Sequence, residues 1–208
     1  MLIPFNQIAN DYQLQINGII HVGAYDGIEM DDYAKQGITK VVFFEAQEEI
    51  MPTLRGRVKP YPQAKAFNYC LSDKEEVVKF QITSNGQSSS MLELGTHKKL
   101  YPDITVDSVH RMECITLEQA FKKENLNIKD YDFVNIDVQG AELKVIKGMG
   151  DISHFKAFYL EVNSEEVYKD CAIVDEIDEY LFGFGFMRVL TANWIMNSWT
   201  DALYLKFK

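Results

Sequence analysis

The sequence predicts an open α/β sheet, mostly parallel, with helices on both faces and an antiparallel pair at its end. Three observations predict it. Short apolar runs rich in β-branched and aromatic residues recur at strand length, and amphipathic helical patterns lie between several of them. The last two runs are joined by only 11 residues, too few for a helical crossover, so they should pair antiparallel.

In chain order the strand-like runs are Ile16 to Val22, Val41 to Phe44, Ala66 to Leu71, Val77 to Ile82, Met112 to Ile115, Asp132 to Ile136, Phe155 to Val162, Phe186 to Leu190 and Ala202 to Phe207. Thr116-Leu117-Glu118-Gln119 has the form of a capping box and opens a helix that runs to about Asn125. Ala141, Val145 and Met149, with Ile146 beside them, make one helical stripe. Ile173, Val174, Ile177 and Leu181 make another, opposite Asp175, Glu176, Asp178 and Glu179. Residues 73–115 read as an insertion between the third and fourth core strands, and its polar centre, Thr83 to Ser90, reads as a loop. No repeat or Pro/Gly-rich linker divides the chain, so residues 1–208 are expected to form one domain.

Composition narrows the class. A chain of 208 residues that is 47% hydrophobic can build a real core and should bury roughly 70% of its unfolded surface. Its 21 Lys and Arg against 31 Asp and Glu give a net charge of −10, which argues against a nucleic-acid partner, because phosphate binding needs a concentrated basic face. Cys70, Cys114 and Cys171 form no metal-binding or redox pattern and read as reduced, mostly buried thiols. The first residues lack a basic export signal, and no window approaches a membrane span, so the expectation is a cytoplasmic protein without a membrane partner. Homo-oligomerisation stays open.

The first strand ends in His21-Val22-Gly23-Ala24-Tyr25-Asp26-Gly27, where two glycines let the backbone turn sharply and approach a ligand. Glu45 closes the second strand 22 residues after Gly23, with Ala46 next to it, and an acid there is placed to accept hydrogen bonds from ribose hydroxyls. Tyr25 stands where a dinucleotide fingerprint wants its middle glycine, which leaves less room for a pyrophosphate. A zwitterionic amino-acid tail suits the turn better, its ammonium meeting Asp26 or a backbone carbonyl, and that points to S-adenosylmethionine. Ser72 ends the third strand with a small polar group within reach of an adenine.

At the other end of the sheet a buried strand runs into Asp137, a turn carries Gln139 and Gly140, and a helix begins with Glu142 in its first turn. The next strand delivers Glu161 and Asn163 to the same edge, two apart and therefore on one face. On these residues the chain resembles the FkbM-type S-adenosylmethionine-dependent methyltransferases. The resemblance is carried by the His-Val-Gly-Ala-x-x-Gly turn at 21 to 27, Glu45, Leu71-Ser72-Asp73, Ser88-Ser89-Ser90-Met91-Leu92, Ile136-Asp137-Val138-Gln139-Gly140-Ala141-Glu142 and Glu161-Val162-Asn163. It implies a Rossmann-like, seven-stranded, mostly parallel sheet with an antiparallel last strand, and O-methylation of hydroxyls such as those on polyketides and sugars. His21 stands where an acid is commoner in that family.

The cofactor is then expected on His21, Gly23, Ala24, Asp26, Gly27, Glu45, Ala46, Ser72 and Asp137. A hydroxyl is a poor nucleophile until its proton is accepted, so Asp137 is the first candidate for general base, Glu161 the second and His110 the third. Ser89, Ser90, Gln139, Asn163 and Trp194 are expected on the acceptor. His97, Lys98, Lys99 and Tyr101 read either as a solvated loop or as a contact for a phosphorylated or acidic group, and Trp199 shares with Trp194 the reading of a sugar-stacking ring. Asp137 with Glu161 and Asn163 also has the makings of an Mg2+ site of the catechol-methyltransferase kind, though the ligand order differs, and no metal is assigned. Alternatives are N-methylation of an amino-sugar or peptide, a cofactor-binding module without catalysis, and a nicotinamide-dependent reductase, which would need a fuller phosphate loop.

Overall fold

Alternating side chains decide how each strand of this protein is packed, and the computed structural model, which describes residues 1–207, has them facing two separate cores. In chain order the elements are α1 (Phe5–Asp11), β1 (Ile19–Val22), α2 (Met30–Lys35), β2 (Val41–Glu45), α3 (Met51–Val58), β3 (Lys65–Asn68), β4 (Cys70–Leu71) and β5 (Glu76–Thr83). There follow α4 (His97–Leu100), β6 (Val106–Ile115), α5 (Leu117–Lys123), β7 (Phe133–Ile136), α6 (Glu142–Lys147), β8 (Ala157–Asn163), α7 (Val174–Gly183), β9 (Phe186–Thr191) and β10 (Trp199–Lys206). Ile19, Val41, Phe43 and Phe133 turn toward α1, α2 and α3, whereas Ile20, Val42, Phe44, Val134 and Ile136 turn toward α5, α6 and α7.

The seven-stranded sheet has the order β3-β2-β1-β7-β8-β10-β9. Its pairs are parallel except those made by β10, which runs antiparallel to both β8 and β9, as the short final connection requires. Strand order reverses between β1 and β7, and in such sheets the crevice beyond the carboxyl ends at the reversal is where a ligand is held. Thr116 and Gln119 close the capping box on α5 reciprocally, Thr116 Oγ1 accepting from Gln119 N at 3.2 Å and Gln119 Oε1 accepting from Thr116 N at 2.9 Å.

Two segments differ from the sequence reading. The run Ala66 to Leu71 breaks at Tyr69, so β3 stays in the main sheet while β4 pairs with β6 in a second sheet of order β4-β6-β5. The strand expected at Met112 to Ile115 extends back to Val106, because β6 pairs antiparallel with β5 along its length. Asp107, Ser108 and His110 are exposed on this ribbon, and a strand with that much polar surface gives no apolar run to read. No helix among the described residues is long and apolar enough to cross a membrane. The three cysteines are free and buried.

Phe158 of β8 is fully buried and packs edge-on against Phe155 and Phe186, with ring centroids 5.5 and 5.0 Å away. Phe158→Ala should cost ~3–5 kcal/mol of stability. Urea unfolding measures this as a lower midpoint at unchanged slope, and a loss under ~0.5 kcal/mol, the scale of a surface change, would remove Phe158 from the core.

Candidate functional site

The crevice at the strand reversal is a cavity of about 430 Å³, within the range of small-molecule sites. Its first wall is the turn after β1. Gly23 has φ +77°, and a Cβ there would lie 1.7 Å from the Asp137 carbonyl oxygen, so only glycine lets the two strand ends meet. Gly23 N and Ala24 N both donate to Phe44 O, at 2.9 and 3.2 Å, and Asp137 N donates to Val22 O at 2.9 Å. Tyr25 is itself left-handed at φ +46°, so the turn keeps a glycine-like conformation at the position where the glycine is missing.

Glu45 stands across from that turn and lines the cavity. Its Oε2 accepts from Tyr25 N at 2.7 Å and its Oε1 from Gln47 N at 2.8 Å. Burial pushes this carboxyl up, against the pull of those N–H groups. Gln47 Nε2 adds a long contact to Oε1 at 3.5 Å, so three of about four lone-pair sites are engaged and the carboxylate has about one left to offer. Asp26 is less free: one oxygen accepts from Ile28 N at 3.1 Å and the other meets the Arg57 guanidinium at 3.2 Å. His21 is buried between Tyr33 and Asn135, and burial lowers it to about 4, leaving the ring neutral.

The opposite wall carries the titratable groups. Gln139, left-handed at φ +57°, donates from Nε2 to Asp137 Oδ1 at 2.7 Å and to Glu161 Oε2 at 2.9 Å. Its Oε1 accepts from the Tyr168 hydroxyl at 2.6 Å, and its carbonyl accepts from Ser90 Oγ at 2.8 Å. Glu142 holds the same turn from beneath, its Oε1 accepting from Val138 N and Gly140 N, both at 3.0 Å. Asp137 is open to the cavity yet far below the outer surface, and burial followed by the Asp201 charge pushes it up to about 6. Glu161, almost closed off, is pushed well up by burial and then by Asp137.

Of the residues singled out from the sequence, the cavity collects His21, Gly23, Ala24, Asp26, Glu45, Ala46, Ser89, Asp137, Gln139 and Glu161. The others stand elsewhere. His110 stands opposite Phe80 on the β5–β6 ribbon but is exposed, with Nε2 2.8 Å from Ser108 Oγ, and it does not line the cavity. Ser72 is buried beneath the end of the strand, its hydroxyl donating to Asp73 and Glu76, and Cys70 and Leu71 line the cavity in its place. Gly27 supports the turn against Leu54, and Ser90 acts through Gln139. Asn163 is fully buried with no partner for either side-chain polar atom, and Trp194 packs on the core, so Trp199 is the tryptophan on the cavity.

His97 and Tyr101, which the sequence offers either as a solvated loop or as a contact for a phosphorylated or acidic group, also line the cavity, as do Tyr168 and Asp201, which the sequence does not single out. The lining holds six acidic side chains, Asp26, Glu29, Glu45, Asp137, Glu161 and Asp201, and no Lys or Arg among the described residues. Lys98 and Lys99 are exposed to solvent. Among the described residues no group of three or more His, Cys, Asp or Glu side chains is arranged to hold a metal ion. Between Asp137 and Glu161 stands an amide donor, where a cation would need oxygens.

A family model described as the methyltransferase FkbM domain matches residues 21–187. Among solved structures, the fold is similar to that of M. capricolum TrmK in complex with the natural cofactor product S-adenosyl-homocysteine, with 10% identity and a TM-score of 0.54 over 100% of this chain and 70% of that one. It is also similar to ribosomal protein L11 methylase from Lactobacillus delbrueckii subsp. bulgaricus, with 11% identity and a TM-score of 0.53 over 98% of this chain and 77% of that one. No curated protein gives a significant match.

Burial, and then the Asp137 charge, push Glu142 up to about 7, against its N–H donors. The folded state therefore keeps a proton that the unfolded chain releases between about pH 4.5 and pH 7, and stability should fall across that window as pH rises. The contribution is on the order of 3 kcal/mol. Glu142→Gln can accept the same two N–H donors without the charge, so its melting temperature should gain on wild type steadily from pH 5 to pH 8. Parallel curves for the two proteins would refute the assignment.

Proposed function

The chain belongs to the FkbM methyltransferase family, and we propose that it moves a methyl group from S-adenosylmethionine to a hydroxyl of a sugar, glycan or similar small natural-product acceptor. The observation that carries the reading is the carboxyl pair Asp137 and Glu161, bridged by one amide at the edge of a cavity whose other wall presents Glu45.

The donor set fits the cofactor. Glu45 has acceptor capacity left for a ribose hydroxyl, on the oxygen that takes only Tyr25 N, and the backbone at Gly23 approaches without a side chain in the way. Ala46, Cys70, Leu71, Phe80 and Met91 give an apolar slot for a flat base. The acidic lining suits a ligand that carries a sulfonium and an ammonium, and since Asp26 is tied to Arg57, the ammonium falls to the other acids and to backbone carbonyls. When bound, this cofactor supplies an electrophilic methyl for in-line displacement.

What remains for the chain is to place the acceptor and take its proton. Asp137, pushed up to about 6, is mostly ionised at neutral pH and accepts the hydroxyl proton; burial and then the neighbouring Asp137 charge raise the Glu161 carboxyl well above the usual carboxylate range. Asp137 opens to the cavity and Glu161 does not, which leaves Asp137 as the one an acceptor hydroxyl can reach. A neutral amine would need no such base, which favours O- over N-methylation. The acidic lining and the net charge of −10 disfavour a nucleic-acid acceptor.

Calorimetric titration of S-adenosylhomocysteine should give binding to wild type that weakens roughly 10- to 150-fold in Glu45→Ala, the equivalent of about 1.5–3 kcal/mol for a charged hydrogen-bond partner. A wild type that binds none of it would end the reading. Asp137→Asn should keep S-adenosylhomocysteine affinity while methyl transfer to a panel of glycosides and polyketide lactones falls on the order of 100-fold or more. In wild type that transfer should rise with pH through an apparent value of about 6 belonging to the carboxyl pair. Undiminished turnover in Asp137→Asn would move the base elsewhere.

A further inference from the structure

We propose that His97, with the aromatic wall of Tyr101, Tyr168 and Trp199, is the acceptor subsite, and that it takes an uncharged polyhydroxylated ring with one hydroxyl at Asp137 and another on His97. This rests on the methyltransferase reading and deepens it, naming the acceptor's charge and the residue that orients it.

His97 is 3% exposed and lines the cavity, and its Nδ1 is closed from solvent with no hydrogen-bond partner. That nitrogen is sealed from the cavity as well as from bulk solvent, so the polar atom a ligand can reach is Nε2, which has no protein partner either and is not closed off. Burial lowers the ring's ionisation, and a neutral imidazole nitrogen either donates to or accepts from a hydroxyl according to its tautomer.

The ring is rigidly held. Gly95 N and His97 N both donate to Val167 O, at 2.9 and 3.1 Å, and Thr96 N donates to Glu166 O at 3.0 Å. A Cβ at Gly95 would lie 2.2 Å from Glu166 O, so glycine is what lets the insertion dock this closely on the segment after β8. The imidazole lies 5.0 Å from the Tyr101 ring and 5.5 Å from that of Tyr168. Trp199 Nε1 donates to the Tyr101 hydroxyl at 2.9 Å, which fixes the wall's far edge. Tyr168 in turn donates to Gln139, the amide that bridges Asp137 and Glu161, so the wall and the carboxyl pair share one framework.

The shape and charge of this lobe select its occupant. Aromatic faces pack against the C–H face of a sugar-like ring while polar edges take its hydroxyls. Glu29 pairs with the Met1 ammonium and Asp26 with Arg57, but the other four acids meet no Lys or Arg on the lining and would repel a phosphate or carboxylate on the acceptor. The basic pair Lys98 and Lys99 points to solvent and offers it no compensation.

The test uses the full chain saturated with S-adenosylhomocysteine and saturation-transfer NMR on methyl β-D-glucopyranoside, methyl α-L-rhamnopyranoside, glucuronic acid and glucose 6-phosphate. At least one neutral pyranoside should bind, the two acids at least 10-fold more weakly. His97→Ala should weaken the neutral ligand 10-fold or more and His97→Gln recover part of it, with S-adenosylhomocysteine affinity unchanged within 2-fold in both. Where turnover is measured, His97→Ala should act chiefly on KM. If His97→Ala does not fold, Tyr101→Phe, which removes only the hydroxyl that Trp199 holds, should weaken the same ligand. Acids binding as well as neutral sugars, no neutral pyranoside binding, or equal affinity in the variants would each overturn the proposal. Failure of wild type to bind S-adenosylhomocysteine is a separate result: it ends the methyltransferase reading and takes this subsite with it.

Discussion

Gln139 joins three parts of the chain that are apart in sequence, the turn after β7, the end of β8 with the segment that follows it, and the insertion. Its amide spans the ends of β7 and β8 through Asp137 and Glu161, its oxygen receives Tyr168, and its backbone carbonyl receives Ser90 from the insertion. A non-glycine residue at φ +57° is strained by about 1–3 kcal/mol, so the conformation persists only where its surroundings fix it. Those four bonds, together with Glu142 gripping the N–H groups on either side of it, are what fix it. Without the clamp, no other hydrogen bond would hold the two carboxyls side by side, and the insertion would keep its docking on the segment after β8 but lose its bond to the turn after β7.

The electrostatic character of the cavity follows from the same arrangement. Two carboxyls bridged by one neutral amide cannot both ionise cheaply when they are buried together, and their environments push their proton affinities apart. Asp137 opens to the cavity and is pushed up to about 6, while Glu161 is sealed behind it and is raised by burial and by the Asp137 charge. Exposure alone makes Asp137 the carboxyl of the pair that a ligand can reach. The one cation on the lining is the Met1 ammonium, which pairs with Glu29, and no Lys or Arg side chain joins it among the described residues, so a cationic ligand is the natural counter-charge.

Much of the fold was legible because periodicity reports burial directly. The runs at β1, β2, β7 and β8 alternate between two cores, and the capping box at Thr116 marks a helix start by local bonding alone. The glycine turn and Glu45 were legible for a related reason, since Gly23 answers a backbone clash and Glu45 a strand end. What the sequence hid depends on pairing and orientation. Strand β6 is polar along an exposed ribbon, and although register with β5 sets His110 opposite Phe80, the ring stays exposed and off the cavity lining. His97 sits in a four-residue helix too short to show a period, beside two solvated lysines that disguise it as surface. Trp199 and Trp194 are equivalent in composition, and only the position of β10 beside β8 brings one of them to the cavity.

The two halves of the cavity are held by different means, and this bears on how acceptor choice is encoded. The proposed cofactor half is built from strand ends, where backbone approach at Gly23 and the bonds of Glu45 to Tyr25 and Gln47 leave little that a side-chain change could vary without disturbing the sheet. The proposed acceptor half is a set of side chains on the insertion and on the segments flanking β8 and β10, docked by backbone bonds from Gly95, Thr96 and His97 that do not depend on side-chain identity. Exchanging His97, Tyr101 or Trp199 therefore alters what the wall recognises while the docking bonds stay. A rigid sheet that fixes the methyl donor and a pinned but side-chain-defined roof that reads the acceptor let one scaffold keep its chemistry while its substrate changes.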